Sequence, residues 1–430
     1  MTTLTIEDFS CIKSAKFELA PVTVMIGPQG SGKSVTSKLL YFCLDTFQRQ
    51  YSCAEKGVSI EEFKKETVKQ FKVWFPVSAW GENRFNINFV AGPFTVRFLR
   101  RMSKGCPVDD LTVTFGEFFH EEYSLLTAEY ERAKSESFED TGNILRRSAQ
   151  EIWRVREQSE ERLTAALGKE HIQSQTFIPA GRAFFTSIGR LVAAIEQGSS
   201  LDPVTIRFAK LFAAIRDIAN RGHIYNRRPR EQSAARGRVM SDLFGGEIKF
   251  ERDQEFVETK DGRSIPFTAL SSGQQELLPM WLLVDFYSDR EMRSDAGELL
   301  YIEEPEAHLF PEAQSVLMDF LIGNLVSKKD NRNLILTTHS PYILAKLNNY
   351  LLAGQVGSNL KKSPKVSKVV SKELWLIPSR VKAYAFSKGV LTDIMDGDGL
   401  IDAEYIDSVS AEVSETFTEL LDIQFSSEKM

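Results

Sequence analysis

Apolar and polar positions change their period several times along the chain, and each change marks a different kind of element. Over the first 45 residues, Lys16 to Leu19 and Val22 to Ile26 are short apolar runs of the kind buried strands show. The second leads straight into Gly27, and after Ser34 the run Val35-Thr36-Ser37-Lys38-Leu39-Leu40-Tyr41-Phe42 holds no breaker and reads as helix. The order is strand, turn, strand, glycine-rich loop, helix. Between about residues 70 and 118 the pattern becomes one-for-one. Phe85-Asn86-Ile87-Asn88-Phe89-Val90, Phe94-Thr95-Val96-Arg97-Phe98-Leu99 and Thr112-Val113-Thr114-Phe115 alternate apolar and polar residues, which predicts an antiparallel sheet with turns near Gly92 and Gly105.

From about 119 to 221 the period lengthens. Ile144, Ile152, Val155, Leu163 and Leu167 fall on one helical face with arginines and glutamates around them. Asp140-Thr141-Gly142-Asn143 divides the region into at least two helices, and a short helical hairpin fits part of it. The heptads do not persist for the many repeats that a long coiled-coil arm requires. Strand character returns at Gly246 to Glu251. From Leu299 the chain alternates: strand at Leu299 to Ile302, helix after Pro311, strand at Leu334 to Thr337, then helix again. That alternation predicts a mostly parallel α/β sheet. Residues 353 to 373, with Gly354, Gly357, Ser363, Pro364 and five lysines, read as a polar loop. A strand at Leu374 to Ile377 and a helical tail from about Asp402 to Asp422 close the chain.

Composition narrows the class. At 430 residues, 42% hydrophobic and 26% charged, the chain suits a soluble protein of one large or two ordinary domains. A net charge of −6 argues against a globally basic nucleic-acid binder. Cys11, Cys43, Cys53 and Cys106 are scattered with no Cys-x-x-Cys pair, which speaks against a disulfide framework or a zinc site. The N-terminus lacks an apolar signal core, and no stretch approaches the roughly 18 apolar residues of a membrane helix. The expectation is a cytoplasmic protein without a membrane partner.

Chemistry concentrates in four places. Gly27-Pro28-Gln29-Gly30-Ser31-Gly32-Lys33-Ser34 matches G-x-x-x-x-G-K-[ST] in full between a strand and a helix. Such glycines turn backbone N–H groups toward phosphate oxygens, Lys33 reaches the β and γ phosphates, and Ser34 ligates Mg²⁺. Leu299-Leu300-Tyr301-Ile302-Glu303-Glu304 is an apolar strand ending in paired carboxylates. Acids at a strand end are usually just solvated, but behind a phosphate loop one suits the metal and one the attacking water. Leu270-Ser271-Ser272-Gly273-Gln274-Gln275-Glu276-Leu277 is, at its blandest, a serine N-cap with Gln or Glu in the first turn. Thr337-Thr338-His339-Ser340-Pro341 puts a histidine at a strand end about 35 residues after the paired acids. A lone histidine is more often structural.

In this order the four segments resemble those of an ABC ATPase, and in particular the overcoming-lysogenization-defect (OLD) class, a branch related to the SMC and RecF groups. The run Ile302-Glu303-Glu304-Pro305-Glu306-Ala307-His308-Leu309-Phe310-Pro311 carries most of the resemblance, since transporter subunits usually have Asp-Glu-Pro there. Phe177-Ile178-Pro179-Ala180-Gly181-Arg182 and the stretch around Ala383 to Asp407 also look like segments of stand-alone ATPases of this group. The implied fold is α/β: an ABC-type P-loop NTPase head with a mixed-sheet lobe, a parallel α/β lobe and an inserted helical region. The implied organisation is an N-terminal lobe over 1–118, a helical insertion over 119–245, a signature, Walker B and switch-histidine lobe over 246–352, and completion of the ATPase by 353–430.

The resemblance further implies that Gly27, Pro28, Gln29, Gly30, Ser31, Gly32, Lys33 and Ser34 hold ATP, with Ser34 and Glu303 on Mg²⁺. Glu304 is then the base or water-orienting residue, and His339 the sensor of the γ-phosphate. Ser272 and Gly273 are implied to act in trans, on ATP sandwiched between head-to-tail subunits, so a homo-oligomer of at least two is expected. Two features depart from the general pattern: the Walker B acid is Glu, and the Q-loop has only Gln173 and Gln175 as candidates.

Function then divides. A transporter subunit lacks support, because the signature is Ser-Ser-Gly and a helical insert of over 100 residues precedes it. OLD nucleases carry a C-terminal TOPRIM domain with Asp-x-Asp. Here Asp396-Gly397-Asp398-Gly399 stands without such a setting, in a sequence that favours a turn. The expectation is an ATPase that senses phage and regulates a separately encoded effector such as a nuclease, similar to Septu- and PARIS-type defence ATPases. The alternative is a RecF- or SMC-like repair ATPase that clamps DNA. Arg221, Arg227, Arg228, Arg230, Arg236 and Arg238, with Tyr225 among them, suit nucleic-acid contacts, and equally a solvated loop or a subunit interface.

Overall fold

Alternating and continuous apolar segments end up in one sheet. The computed structural model describes residues 1–138, 144–188, 202–220, 230–251, 254–289, 297–326 and 331–402, with three isolated positions beyond. Strands β1 (Thr2–Phe9) and β2 (Ile12–Glu18) pair antiparallel; β3 (Val22–Ile26), buried on all five residues, leads into the glycine-rich loop and α1 (Lys33–Gln48). Helices α2 (Gln50–Glu55) and α3 (Ile60–Trp74) precede three alternately buried strands, β4 (Asn86–Ala91), β5 (Phe94–Ser103) and β6 (Cys106–Phe115).

Helices α4 (Glu117–Phe138) and α5 (Ile144–Leu167) pack together, tied by a bidentate Arg162–Glu129 pair at 3.0 and 2.9 Å. Next come β7 (Ile172–Ile178), α6 (Ala183–Ile188), α7 (Pro203–Asn220) and α8 (Arg230–Phe244). A small separate sheet holds β8 (Gly246–Glu251), β9 (Gln254–Thr259) and β10 (Ser264–Pro266). Then follow α9 (Ser272–Asp289), β11 (Gly297–Glu303), α10 (Pro311–Leu321), β12 (Arg332–Thr338), α11 (Pro341–Gly357), α12 (Ser363–Val366), β13 (Val381–Ser387) and β14 (Val390–Asp393).

The main sheet has 11 strands in the order β6-β5-β4-β1-β2-β14-β13-β3-β12-β11-β7. Strands β13, β3, β12, β11 and β7 run parallel, while β6 to β2 pair antiparallel. The fold is thus α/β with a mixed sheet. Ile26 is in register with Thr338 and Thr337 with Glu303, so β3, β12 and β11 end at one edge. Loops at the carboxyl edge of a parallel sheet are where such folds bind ligands.

Three expectations need correction. Within the stretch expected to be helical, β7 joins the main sheet beside β11, because Thr176-Phe177-Ile178 is buried and strand-prone. The strand expected at Leu374 to Ile377 is instead a 3₁₀ turn (Lys372–Leu374) and an extended stretch. Its Leu374 and Leu376 are buried, Leu374 beside Gly323 and Leu376 on α11, with Leu376 N–H donating to Tyr350 O at 3.1 Å; the sheet strand is β13. The polar loop expected from 353 starts as helix, since α11 continues to Gly357. The helical tail expected from Asp402 to Asp422 lies, apart from Asp402 and isolated positions, outside the described residues.

At the expected β5–β6 turn, Lys104 (φ 50°) and Gly105 (φ 83°) sit between the paired Ser103 and Cys106, a two-residue hairpin loop with both central residues left-handed. A Cβ on Gly105 would meet nothing within 4 Å. Gly105→Ala therefore costs only its backbone conformation, about 1 kcal/mol. A urea titration is expected to show the midpoint lowered at unchanged slope.

Candidate functional site

The glycine-rich loop lies at the carboxyl edge of β3. Gly30 and Gly32 take φ of 69° and 116°, and a Cβ on Gly32 would fall 2.7 Å from Ile12 Cγ1, so the position admits no side chain. Pro28, Gln29, Gly30 and Ser34 are exposed, whereas the Ser31 hydroxyl is buried with no hydrogen-bond partner. Lys33 opens α1 and folds back over the loop. Its Nζ donates to Gly27 O at 2.7 Å and Pro28 O at 3.0 Å and lies 3.2 Å from His339 Nε2. Burial lowers the lysine's pKa, and Glu304, Glu306 and Glu303 work against that shift.

Strand β11 delivers the acids. Glu303 is buried; one carboxylate oxygen accepts from Ala180 N–H at 3.3 Å, and the other is buried without a partner. Glu304 stands one residue past the strand in left-handed backbone (φ 44°), its N–H donating to Thr337 O at 2.8 Å. A non-glycine residue in that region marks a constrained position. Its carboxylate comes within 3.3 Å of His339 Nε2. One ring nitrogen cannot accept from Lys33 and donate to Glu304 at once, so the proton on His339 selects its partner.

His339 follows β12 and is fixed from behind. Glu306 Oε1 accepts from Thr338 Oγ1 and from His339 N–H, both at 2.7 Å. The second Glu306 oxygen is buried and unpartnered. Lys33, Glu303, Glu304 and His339, from three separate chain segments, thus share one edge. The unpartnered oxygens of Ser31 and Glu303, with the exposed Ser34 hydroxyl, are hard-oxygen donors of the type that triphosphate-bound Mg²⁺ takes.

The Ser-Ser-Gly segment begins α9. Ser271 and Gln274 form a capping box: Gln274 Oε1 accepts from Ser271 N–H at 3.1 Å, and Ser271 Oγ accepts from Gln274 N–H at 3.4 Å. Ser272 is exposed. Gly273 is buried so tightly that a Cβ would stand 2.5 Å from His308 O. The capping role falls on Ser271 and Gln274 and leaves the Ser272 side chain out of the capping box.

Gln173 and Gln175 are not at this edge chemically: Gln173 donates to Glu160 at 2.5 Å, and Gln175 donates to Tyr41 O at 2.9 Å while accepting from Tyr301 at 3.1 Å. Of the basic run, Arg221, Arg227, Arg228 and Tyr225, and the side chain of Arg230, lie outside the described residues. Arg236 is committed to Asp285 at 2.8 Å and to the Trp281 ring, and Arg238 is exposed. Asp396 closes a turn, accepting from Asp398 N–H at 2.9 Å and Leu400 N–H at 2.8 Å.

Two residues lie in segments that carry the resemblance, yet sequence reasoning gave neither a role. Glu306 positions the histidine, and its signal was an acid two places beyond the Glu pair. Arg182, fully buried, donates to the carbonyls of Pro179, Glu303, Glu304 and Glu276. The segment ending in Arg182 stood out in the sequence, but its partners on β11 and α9 have no local signal.

No helix among the described residues is long and apolar enough to cross a membrane. No curated protein matches the chain. Solved structures with similarity include the SMC head bound to the C-terminal winged-helix domain of ScpA (11% identity, TM-score 0.39, 91% of this chain and 96% of that one). The SMC head domain from Thermotoga maritima (12%, 0.36, 91% and 97%) and the recombination mediator protein RecF-ATPrS in the RecFOR pathway (9%, 0.28, 91% and 97%) are also similar. Assignment rests instead on the family match, which spans residues 22–345 and so takes in the phosphate loop, the acid pair and the histidine. The chain belongs to the AAA-domain family described as putative AbiEii toxin, type IV toxin–antitoxin system, and is a P-loop ATPase of the AAA/ABC type.

Proposed function

We propose that the chain hydrolyses ATP in a composite site between two copies of itself, and that this cycle regulates a separately encoded effector in anti-phage defence. The observation that carries hydrolysis is the chain of contacts Lys33–His339–Glu304, at 3.2 and 3.3 Å, beside the unpartnered oxygen of Glu303. Lys33 and the loop amides take the β and γ phosphates, Ser34 and Glu303 take Mg²⁺, Glu304 orients and deprotonates water, and His339 reads the γ-phosphate. Ser272 is free to meet a partner's nucleotide because it is exposed at the N-terminus of an 18-residue helix. The defence role is supported by the family's printed description as a putative toxin of a toxin–antitoxin system and by the resemblance of Ile302 to Pro311 to the OLD class. Of the basic run that the DNA-clamp alternative would use, Arg236 is taken up by Asp285, while Arg238 is exposed.

Two variants, mixed, test the composite site. Lys33→Ala removes the phosphate lysine and Ser272→Arg blocks the exposed helix start, so each protein alone is expected to be inactive. In a mixed dimer one site pairs the intact phosphate loop of one chain with the intact signature of the other. Random pairing with independent sites then returns about one quarter of wild-type phosphate release. Absence of any recovery would sink the composite site.

A further inference from the structure

Arg182 is the point where three parts of the site meet, and no role in hydrolysis requires it to be there. Its backbone N–H donates to Glu276 Oε2 at 2.7 Å, and its Nε to Glu276 O at 3.1 Å. One terminal nitrogen donates to Pro179 O at 2.9 Å and Glu303 O at 2.6 Å; the other donates to Glu304 O at 3.1 Å. Glu276, one turn into α9, lies 3.7 Å from the guanidinium, with both side chains buried. The same loop touches the acids a second time through Ala180 N–H on Glu303, and α6, which follows it, grips α9 through Thr186 Oγ1 on Gln275 O at 2.8 Å.

A guanidinium buried this deeply persists only where its donors are matched and its charge is paired. Here the charge is paired on α9 while two of the donors are spent on the peptide that carries the catalytic candidate. Glu304 needs such holding, because its backbone is left-handed and its carbonyl has to be fixed for its carboxylate to keep one direction. Ser272, where α9 would meet a partner's nucleotide, lies four residues before Glu276, one helical turn away.

We propose that Arg182 is a positioning residue that couples the seating of α9 to the orientation of Glu304, so that hydrolysis is armed when the signature turn is engaged. The coupling rests on the reading that Ser272 acts on ATP held by a second copy. A displacement of the first turn of α9 is carried along the helix to Glu276, and Glu276 reaches Glu304 through Arg182. Neither Arg182 nor Glu276 touches ATP in this scheme, so their loss acts on turnover rather than on nucleotide capture.

The test uses the full chain with Arg182→Lys, Glu276→Gln and the double variant. Phosphate release gives kcat, and titration with a fluorescent ATP analogue gives affinity. Each single variant is expected to lower kcat about tenfold or more with affinity changed less than about threefold, since displacing a positioned group by a fraction of an ångström is enough for that loss. The double variant is expected to fall no lower than the worse single, because both break one link. Additive losses, or a loss of affinity that matches the loss of kcat, would overturn the coupling. Should Arg182→Lys fail to fold, Glu276→Gln decides alone: unchanged kcat overturns the proposal. The mixing of Lys33→Ala with Ser272→Arg reports separately. Its failure with the kcat effect intact removes the trans reading, and with it the coupling to a partner's nucleotide; its success with additive losses removes Arg182's role alone.

Discussion

Glu304→Gln is expected to lower ATP turnover by about 10²–10⁴-fold while nucleotide stays bound, because an amide of the same shape cannot take a proton from water. The substitution should leave the site's geometry in place. The left-handed backbone of Glu304 is held by Thr337 O and Arg182, neither of which contacts the carboxylate. Replacing the carboxylate also removes a negative charge near Lys33, where a triphosphate would bring several more. Affinity for ATP is therefore expected to hold or rise. With hydrolysis blocked and ATP kept, an assembly that ATP sandwiches should accumulate. Phosphate release and mass in solution, measured with ATP and Mg²⁺, read both halves. Normal turnover would remove Glu304 from the role of base, and an unchanged mass would count against the shared site.

How far the sequence reached depends on whether a feature is local. The phosphate loop was legible because its chemistry is contiguous: glycines for positive φ, a lysine, a hydroxyl, and a buried strand before them. The antiparallel strands were legible for a similar reason, since burial alternates residue by residue through β4 and β5. Strand β1 was overlooked, although Leu4, Ile6 and Phe9 are buried, because the alternation around Thr3 and Thr5 is short and Glu7-Asp8, both exposed, break it. The C-terminal strand was misplaced because Leu374 and Leu376 carry the apolarity of a strand but bury it on a helix. Which strands neighbour each other was beyond the reading. The contact of Lys33 with His339 spans 306 positions and follows only from β3 lying beside β12. Arg182 was hidden for the same reason: its partners come from β11 and α9, more than 90 residues away.

At the opposite end of the sheet from these loops a second buried arginine has a purely structural part, and it carries the largest stability effect expected of a single substitution. Glu298 and Arg332 face each other across β11 and β12, with Arg332 Nε donating to Glu298 Oε2 at 2.7 Å. Another guanidinium nitrogen donates to Tyr287 O at 3.0 Å, which ties α9 to the sheet. Arg332 is 0% and Glu298 1% exposed. Arg332→Met leaves a buried carboxylate without a counter-charge, and its expected cost is about 3–5 kcal/mol. Removing both charges with Glu298→Leu and Arg332→Met leaves no uncompensated ion, so the double variant should recover most of that loss. Urea titrations of the two singles and the double give the comparison. A double variant as unstable as the worse single would mean that the bond to Tyr287, not the ion pair, is what the fold needs. Because the pair stands a full strand length from Glu304, turnover of the folded protein at low temperature is expected to change little in either case.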